Sequence, residues 1–154
     1  MKNQNKQLII EQLDKKLQKY SVINIADIPP RGWVYSIRTA LGMSLNQLAT
    51  RLGKSIPTVK EIEEREENKN ITLNKLIEVA NAFDMQFVYA FIPKEDSLEK
   101  IIEKRAQEIA QKIVMRTSHS MELEDQKNRD ERLEKAIKDR AEKIKQEMPR
   151  YLWD

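Results

Sequence analysis

Apolar positions recur at helical spacing along most of this chain. Over residues 4–20, Ile9, Leu13, Leu17 and Tyr20 fall four, four and three apart with Lys and Gln between them, which predicts an amphipathic helix. The pattern breaks from Ser21 to Pro30. Each proline in Ile28-Pro29-Pro30-Arg31-Gly32 disfavours helix in the residue before it, so a linker is expected there. Trp33, Ile37 and Leu41 then form a stripe at i, i+4 and i+8 that Gly42 ends. Ser44 reads as the N-cap of Leu45–Leu52, whose apolar positions are Leu45, Leu48, Ala49 and Leu52. After a tight turn at Gly53-Lys54, Ser55 caps a further helix with Pro57 in its first turn, where a missing N–H costs little. Val59 and Ile62 are its expected buried positions. Glu66 to Ile71 reads as a polar loop. Thr72 caps the next helix, which carries Leu73, Leu76, Ile77, Val79, Ala80 and Phe83.

One stretch departs from helical spacing. Met85 to Ile92 is rich in aromatic and β-branched residues and predicts a short strand ending at Pro93. A lone strand has no partner in its own chain. It predicts either pairing with the same strand of a second subunit or an extended segment packed on the helices. Two longer helices follow, marked by Leu98, Ile102, Ala106, Ile109 and Ile113, then by Leu133, Ile137, Ala141, Ile144 and Met148. The segment between them, Arg116 to Gln126, has no clear period. The aromatics of Met148 to Asp154 are expected to dock. The fold class is therefore all-α with one short strand. The parts are an N-terminal helix and linker (1–28), a central domain ending in the strand (29–93) and a C-terminal helical region (94–154).

Composition narrows the function. The 154 residues contain three Gly and five Pro, and 34% are charged. That is turn-poor and charge-rich, as a helical protein is. No apolar run is long enough to cross a membrane, and the polar start Met1 to Gln7 has no signal-peptide core, so a cytoplasmic protein without a membrane partner is expected. There is no Cys and one His, His119, so no Cys/His metal site, disulfide or thiolate chemistry is expected. Catalysis centred on His119 lacks a visible nucleophile, phosphate loop or oxyanion donor set, and neither an enzyme nor a cofactor is expected. The net charge of +3 lies wholly in residues 1–93, with 13 basic and 10 acidic side chains, whereas residues 94–154 hold 15 of each. A polyanion, if bound, belongs with the first part.

The most informative segment runs from Leu45 to Glu63. Ala49 is small where two helices cross, Gly53 supplies a sharp turn, Ser55 caps the second helix, and Val59 and Ile62 anchor it. Ile56, Pro57, Thr58, Lys60 and Glu61 are left facing outward. In a helix-turn-helix the N-terminal part of the second helix enters the major groove of double-stranded DNA. The expected DNA-binding set is Arg51, Lys54, Ser55, Ile56, Pro57, Thr58, Lys60, Glu61 and Lys69. Thr58 suits a thymine methyl or a base acceptor, and Lys60 guanine or phosphate. Glu61, Glu63, Glu64, Glu66 and Glu67 make the end of that helix acidic and oppose phosphate approach unless they point away. Arg38, Arg51, Lys54, Lys60, Lys69 and Lys75 are the expected compensating cations. No Arg is expected on the outward face, so affinity is expected to depend on dimerisation at a two-fold site. Trp33, Tyr35, Phe83, Phe87 and Tyr89 are read as core rather than as a base-stacking platform.

This segment resembles the phage-repressor-type (Xre/Cro-like) helix-turn-helix over Trp33 to Phe83. A longer resemblance rests on an ordered set of motifs: Pro29-Pro30-Arg31-Gly32-Trp33, Ala40-Leu41-Gly42-Met43-Ser44, Val88-Tyr89-Ala90, Ser118 to Gln126, and Pro149 to Asp154. Together they look like the family called mobile mystery protein A, whose gene typically neighbours one for a Fic-domain protein. The resemblance implies an antitoxin-like repressor that autoregulates its operon beside a Fic-type toxin. Fic-inhibitory motifs join Ser or Thr, three residues, Glu, then Gly or Asn. Here Ser118 precedes Glu122-Leu123 and Ser120 precedes Glu124-Asp125, so both departures lie in the last residue. Ser118, His119, Glu122 and Glu124 are the candidate partner-binding residues. The competing expectation is a protein that neutralises such a toxin through its C-terminal region without specific DNA readout.

Overall fold

A computed structural model describes residues 2–118 and 126–154. Among them are seven α-helices, α1 (Lys2–Gln18), α2 (Trp33–Ala40), α3 (Leu45–Leu52), α4 (Ile56–Glu67), α5 (Leu73–Ala82), α6 (Leu98–Ser118) and α7 (Gln126–Glu147), with 3-10 turns at Ile25–Asp27 and Arg150–Trp153. The all-α class holds. The expected strand is corrected, because Met85 to Ile92 carries no regular secondary structure. Among the described residues there is no second strand to complete a ladder with its β-prone side chains, and Tyr89 is 65% exposed rather than core. The chain divides into two units, Val22–Ala90 and the pair Met1–Ser21 with Phe91–Asp154. α1 thus groups with the C-terminal helices.

The unit Val22–Ala90 surrounds a core of Val34, Leu48, Ala49, Val59, Ile62 and Val79. Its short helices are cut by local chemistry. Ser44 Oγ accepts from the Gln47 amide while Gln47 Oε1 accepts from the Ser44 amide, a reciprocal box at the start of α3. Thr72 caps α5 through the Lys75 amide at 3.2 Å. α4 runs through Glu67, so Glu66 belongs to the helix and not to the loop expected there.

α2 corrects the sequence reading by one position. Trp33 and Leu41 of the expected stripe are exposed, Leu41 at 60%, and the buried face is Val34 and Arg38. A charged residue occupies that face because it has a partner on α4. Arg38 Nε and Nη2 donate to the Glu63 carboxylate, and Nη1 donates to the Met43 carbonyl at 2.9 Å. The hydrogen bond to Glu63 and its negative charge outweigh burial and hold the Arg38 pKa above its ordinary value.

The second unit is built on α6 and α7. They run antiparallel, since Lys145 near the end of α7 meets Glu99 at the start of α6, and Arg129 near the start of α7 reaches the Ser118 carbonyl at its end. Ile102, Ala106, Ile109, Ala110, Ala141, Ile144 and Leu152 form the core. Three alanines let the helix backbones approach closely. Arg105 holds the last turn, donating to the Leu152 carbonyl at 2.7 Å and to an Asp154 oxygen. The terminal aromatics expected to dock, Tyr151 and Trp153, stay exposed, and the segment is held instead by Leu152, which is fully buried.

α1 repeats the one-position shift. Ile9 and Leu13 are exposed, and the inward face is Ile10, Asp14 and Leu17. The Asp14 carboxylate accepts from the Leu98 amide at 2.7 Å and the Glu99 amide at 3.3 Å. It satisfies two of the four orphan donors at the α6 N-terminus and meets the positive end of the helix dipole.

Candidate nucleic-acid interface

The candidate interface is the pair α3 and α4 with the turn between them. α3 ends where Gly53 turns left-handed at φ 63°, with the Gly53 amide bonded to the Thr50 carbonyl and the Lys54 amide to the Ala49 carbonyl. This paired closure needs the positive φ that glycine adopts without cost. Ala49 is buried at the helix crossing. Ser55 then starts α4. Its Oγ accepts from the Thr58 amide at 3.3 Å and shares a hydrogen bond with Thr58 Oγ1 at 2.8 Å.

The expected DNA-binding residues fall on one stretch of surface-facing chain. Arg51, Lys54, Ser55, Ile56, Pro57, Lys60, Glu61 and Lys69 are exposed, and Thr58 is half-buried. Thr58's hydroxyl is engaged by Ser55, which leaves its methyl group as the readier contact. Arg51 Nη1 lies 3.4 Å from the Ala82 carbonyl at the end of α5. Lys54, Lys60 and Lys69 have no ion pair among the described residues, so their charges are available to phosphate. Lys75 is paired with Glu78.

The acidity of α4 resolves into separate roles. Glu63 is buried against Arg38, which removes Arg38 from the expected cation set. Glu66 Oε1 accepts from the Val34 amide at 2.7 Å, capping α2, whose own N-cap Gly32 has no side chain to do so. A Cβ on Gly32, at φ 85°, would collide with that carboxylate. Desolvation raises the Glu66 pKa, with the amides of Val34 and Trp33 opposing and Glu63 adding to the rise. Glu61 pairs with Arg65 at 2.7 Å across one helical turn. Arg65 corrects the expectation that no Arg faces outward from this helix. Glu64 and Glu67 remain exposed carboxylates. Arg31, also unanticipated, lies 3.5 Å over the Tyr35 ring. The signal for Arg65 was present in its i, i+4 spacing from Glu61. The Glu66 cap spans 32 residues and left no local signal.

Of the candidate partner-binding residues, Ser118 ends α6 and donates to the Met115 carbonyl at 3.1 Å. His119, Glu122 and Glu124 lie outside the described residues. Among the described residues no group of three or more His, Cys, Asp or Glu is placed to hold a metal ion. None of the described helices is long and apolar enough to cross a membrane.

Residues 34–89 match the family model described as helix-turn-helix. No curated protein and no solved structure matches the chain. The central part of the chain carries the helix-turn-helix domain, and α4 is its second helix, which in that class enters the major groove.

Proposed function

We propose that the chain is a sequence-specific transcriptional repressor that binds double-stranded DNA as a homodimer, acts on its own operon in the cytoplasm and performs no catalysis. The observation that carries this reading is the α3–turn–α4 unit, whose α4 begins in an exposed, Ser55-capped turn beside lysines that have no ion pair among the described residues. Ile56, Thr58 and Lys60 supply base contacts. Arg51, Lys54 and Lys69 supply phosphate contacts. Inward-turned Glu63 and Glu66 remove two of the five carboxylates that opposed this reading.

The partner reading rests on the motif resemblance alone. On that basis the protein is the antitoxin-like companion of a Fic-domain protein, held through the C-terminal helical region.

The test is fluorescence anisotropy with labelled DNA from the chain's own upstream region against scrambled DNA at two salt concentrations. Specific binding that weakens with salt is expected. Thr58→Ala with Lys60→Ala is expected to weaken it at least about 30-fold, at about 1–3 kcal/mol per lost base contact. Equal affinity for both DNAs would sink sequence-specific readout. Co-purification with the neighbouring Fic-domain protein, without DNA binding, would favour neutralisation by protein contact alone.

A further inference from the structure

The outward crest of α4 is occupied by a carboxylate. Val59, Ile62 and Glu63 are buried and Glu66 turns inward to α2, so these residues define the inner side of the helix. At about 100° per residue, the opposite side is centred on Pro57 and Glu61, one turn apart. Both are exposed. The residues beside them are drawn off the crest. Thr58 is half-buried, and its hydroxyl is held by Ser55 at 2.8 Å. Lys60 and Glu64 lie toward α2, where they line a pocket of about 250 Å³ with Arg31 and Tyr35. Glu61 is in the second turn of α4, about 8 Å along the axis from Ile56. That is still the N-terminal part of the helix, which enters the groove in this class.

The Glu61 side chain is 57% exposed, and Arg65 Nη2 lies 2.7 Å from its Oε1. An exposed pair of this kind adds little to folding. Its consequence is for what can approach. A lone carboxylate on the crest would be repelled by a groove lined with phosphates, and the guanidinium beside it offsets that charge.

We propose that Glu61 selects cytosine in the bound DNA, with Arg65 as its positioning residue. This selectivity rests on the DNA-binding reading above and names a base which that reading left open. An ionised carboxylate only accepts hydrogen bonds. In the major groove guanine shows two acceptors, and thymine shows one beside its methyl group, so both repel it. Cytosine N4 and adenine N6 donate, but adenine N6 stands next to the N7 acceptor, which cytosine lacks. Cytosine is therefore the edge that a carboxylate matches without a repulsive neighbour. Arg65 engages Oε1 from the C-terminal side, which leaves Oε2 to accept from the base.

Selection of duplexes from a pool with a randomised segment, by the full chain and its variants, tests this assignment. The wild type is expected to enrich a motif containing a cytosine that depends on Glu61. Glu61→Ala is expected to lose preference at that position alone. Glu61→Gln is expected to shift it toward adenine, whose N6 and N7 match an amide. Fluorescence anisotropy then reads the size of the effect. Replacing that C·G pair by T·A is expected to weaken the wild type about tenfold and to leave Glu61→Ala unchanged. Arg65→Ala is expected to blunt the cytosine preference with helix content unchanged by circular dichroism. Arg65→Lys, which can still pair across one turn, is expected to restore it. A Glu61→Ala chain that enriches the wild-type motif unaltered overturns the inference while the DNA-binding reading stands. So does loss of every position at once with helix content intact, which makes the role of Glu61 general rather than selective. Full cytosine preference in Arg65→Ala overturns the positioning role. A wild type that enriches no motif overturns both the inference and the reading beneath it.

Discussion

The two units solve the same problem at different scales. In Val22–Ala90 four helices of 8–12 residues are each stopped by a cap or a turn, and a small core holds them. In the other unit, helices of 17–22 residues pack lengthwise around alanines. Isolated helices of the first length are marginal in water, so α2 through α5 depend on their ends and on each other. Yet both units contain the same device, a carboxylate reaching from one helix to the start of another: Glu66 to α2 and Asp14 to α6. In both, a charged residue sits in the middle of an inward helix face, Arg38 in α2 and Asp14 in α1. The lesson is that a polar group belongs to a packed face when its partner is built in, and the apolar stripe beside it then stays exposed.

The largest effect is expected where the charged face is deepest. Arg38→Ala strands the buried Glu63 carboxylate and is expected to cost about 3–5 kcal/mol, whereas Arg38→Met with Glu63→Leu is expected to be near neutral. Urea unfolding gives the total, and amide hydrogen exchange localises the loss to α2 and α4. A double variant as damaged as the single one would show that the pair does more than neutralise itself. In the other unit the counterpart is Ile144→Ala, at a side chain only 1% exposed. Its expected cost is about 2–5 kcal/mol, with lost protection confined to α6 and α7 and DNA affinity unchanged. A matching loss of DNA affinity would show that the units are not energetically separate.

What was legible in the sequence follows the range of the interactions. Ser44, Gly53, Ser55, Pro57 and Thr72 act on amides within a few residues, so their types and spacing announced α3, α4 and α5. The helix-turn-helix surface was legible for the same reason. The faces of α1 and α2 were not, because periodicity counts apolar residues and both inward faces have a charge at their centre. Asp14 finds its partner 84 residues away and Arg38 finds its own 25 away. The acidity of α4 read as a liability because nothing local shows that Glu63 and Glu66 turn inward. The run from Met85 to Ile92 has strand chemistry, but a strand is completed by a neighbour, and no single-chain pattern supplies one.

The smaller predictions concern the two capping carboxylates. Asp14→Ala removes the acceptor for the Leu98 and Glu99 amides and is expected to cost about 1–2 kcal/mol, read as faster exchange in the first turn of α6. Asp14→Asn keeps one acceptor and is expected to recover part of the loss. Glu66 is expected to give the smallest effect and a different sign with pH. Desolvation raises its pKa in the folded state, so the native chain takes up this proton at a higher pH than the unfolded chain does. A raised carboxyl pKa contributes stability that is fully present below the ordinary carboxylate value and is lost as pH rises through the folded value. Acidifying from neutrality toward the ordinary carboxylate range is therefore expected to steepen the stability of Val22–Ala90 slightly upward. Glu66→Gln keeps an oxygen for the Val34 amide but has no proton to exchange. Its stability is expected to lack that rise and to equal or slightly exceed the wild type at neutral pH. If Glu66→Gln instead loses stability at neutral pH, the ionised carboxylate's pull on the α2 amides outweighs the cost of burying it. The two caps would then work by the same electrostatics, in place of a charged cap at α6 and a partly desolvated one at α2.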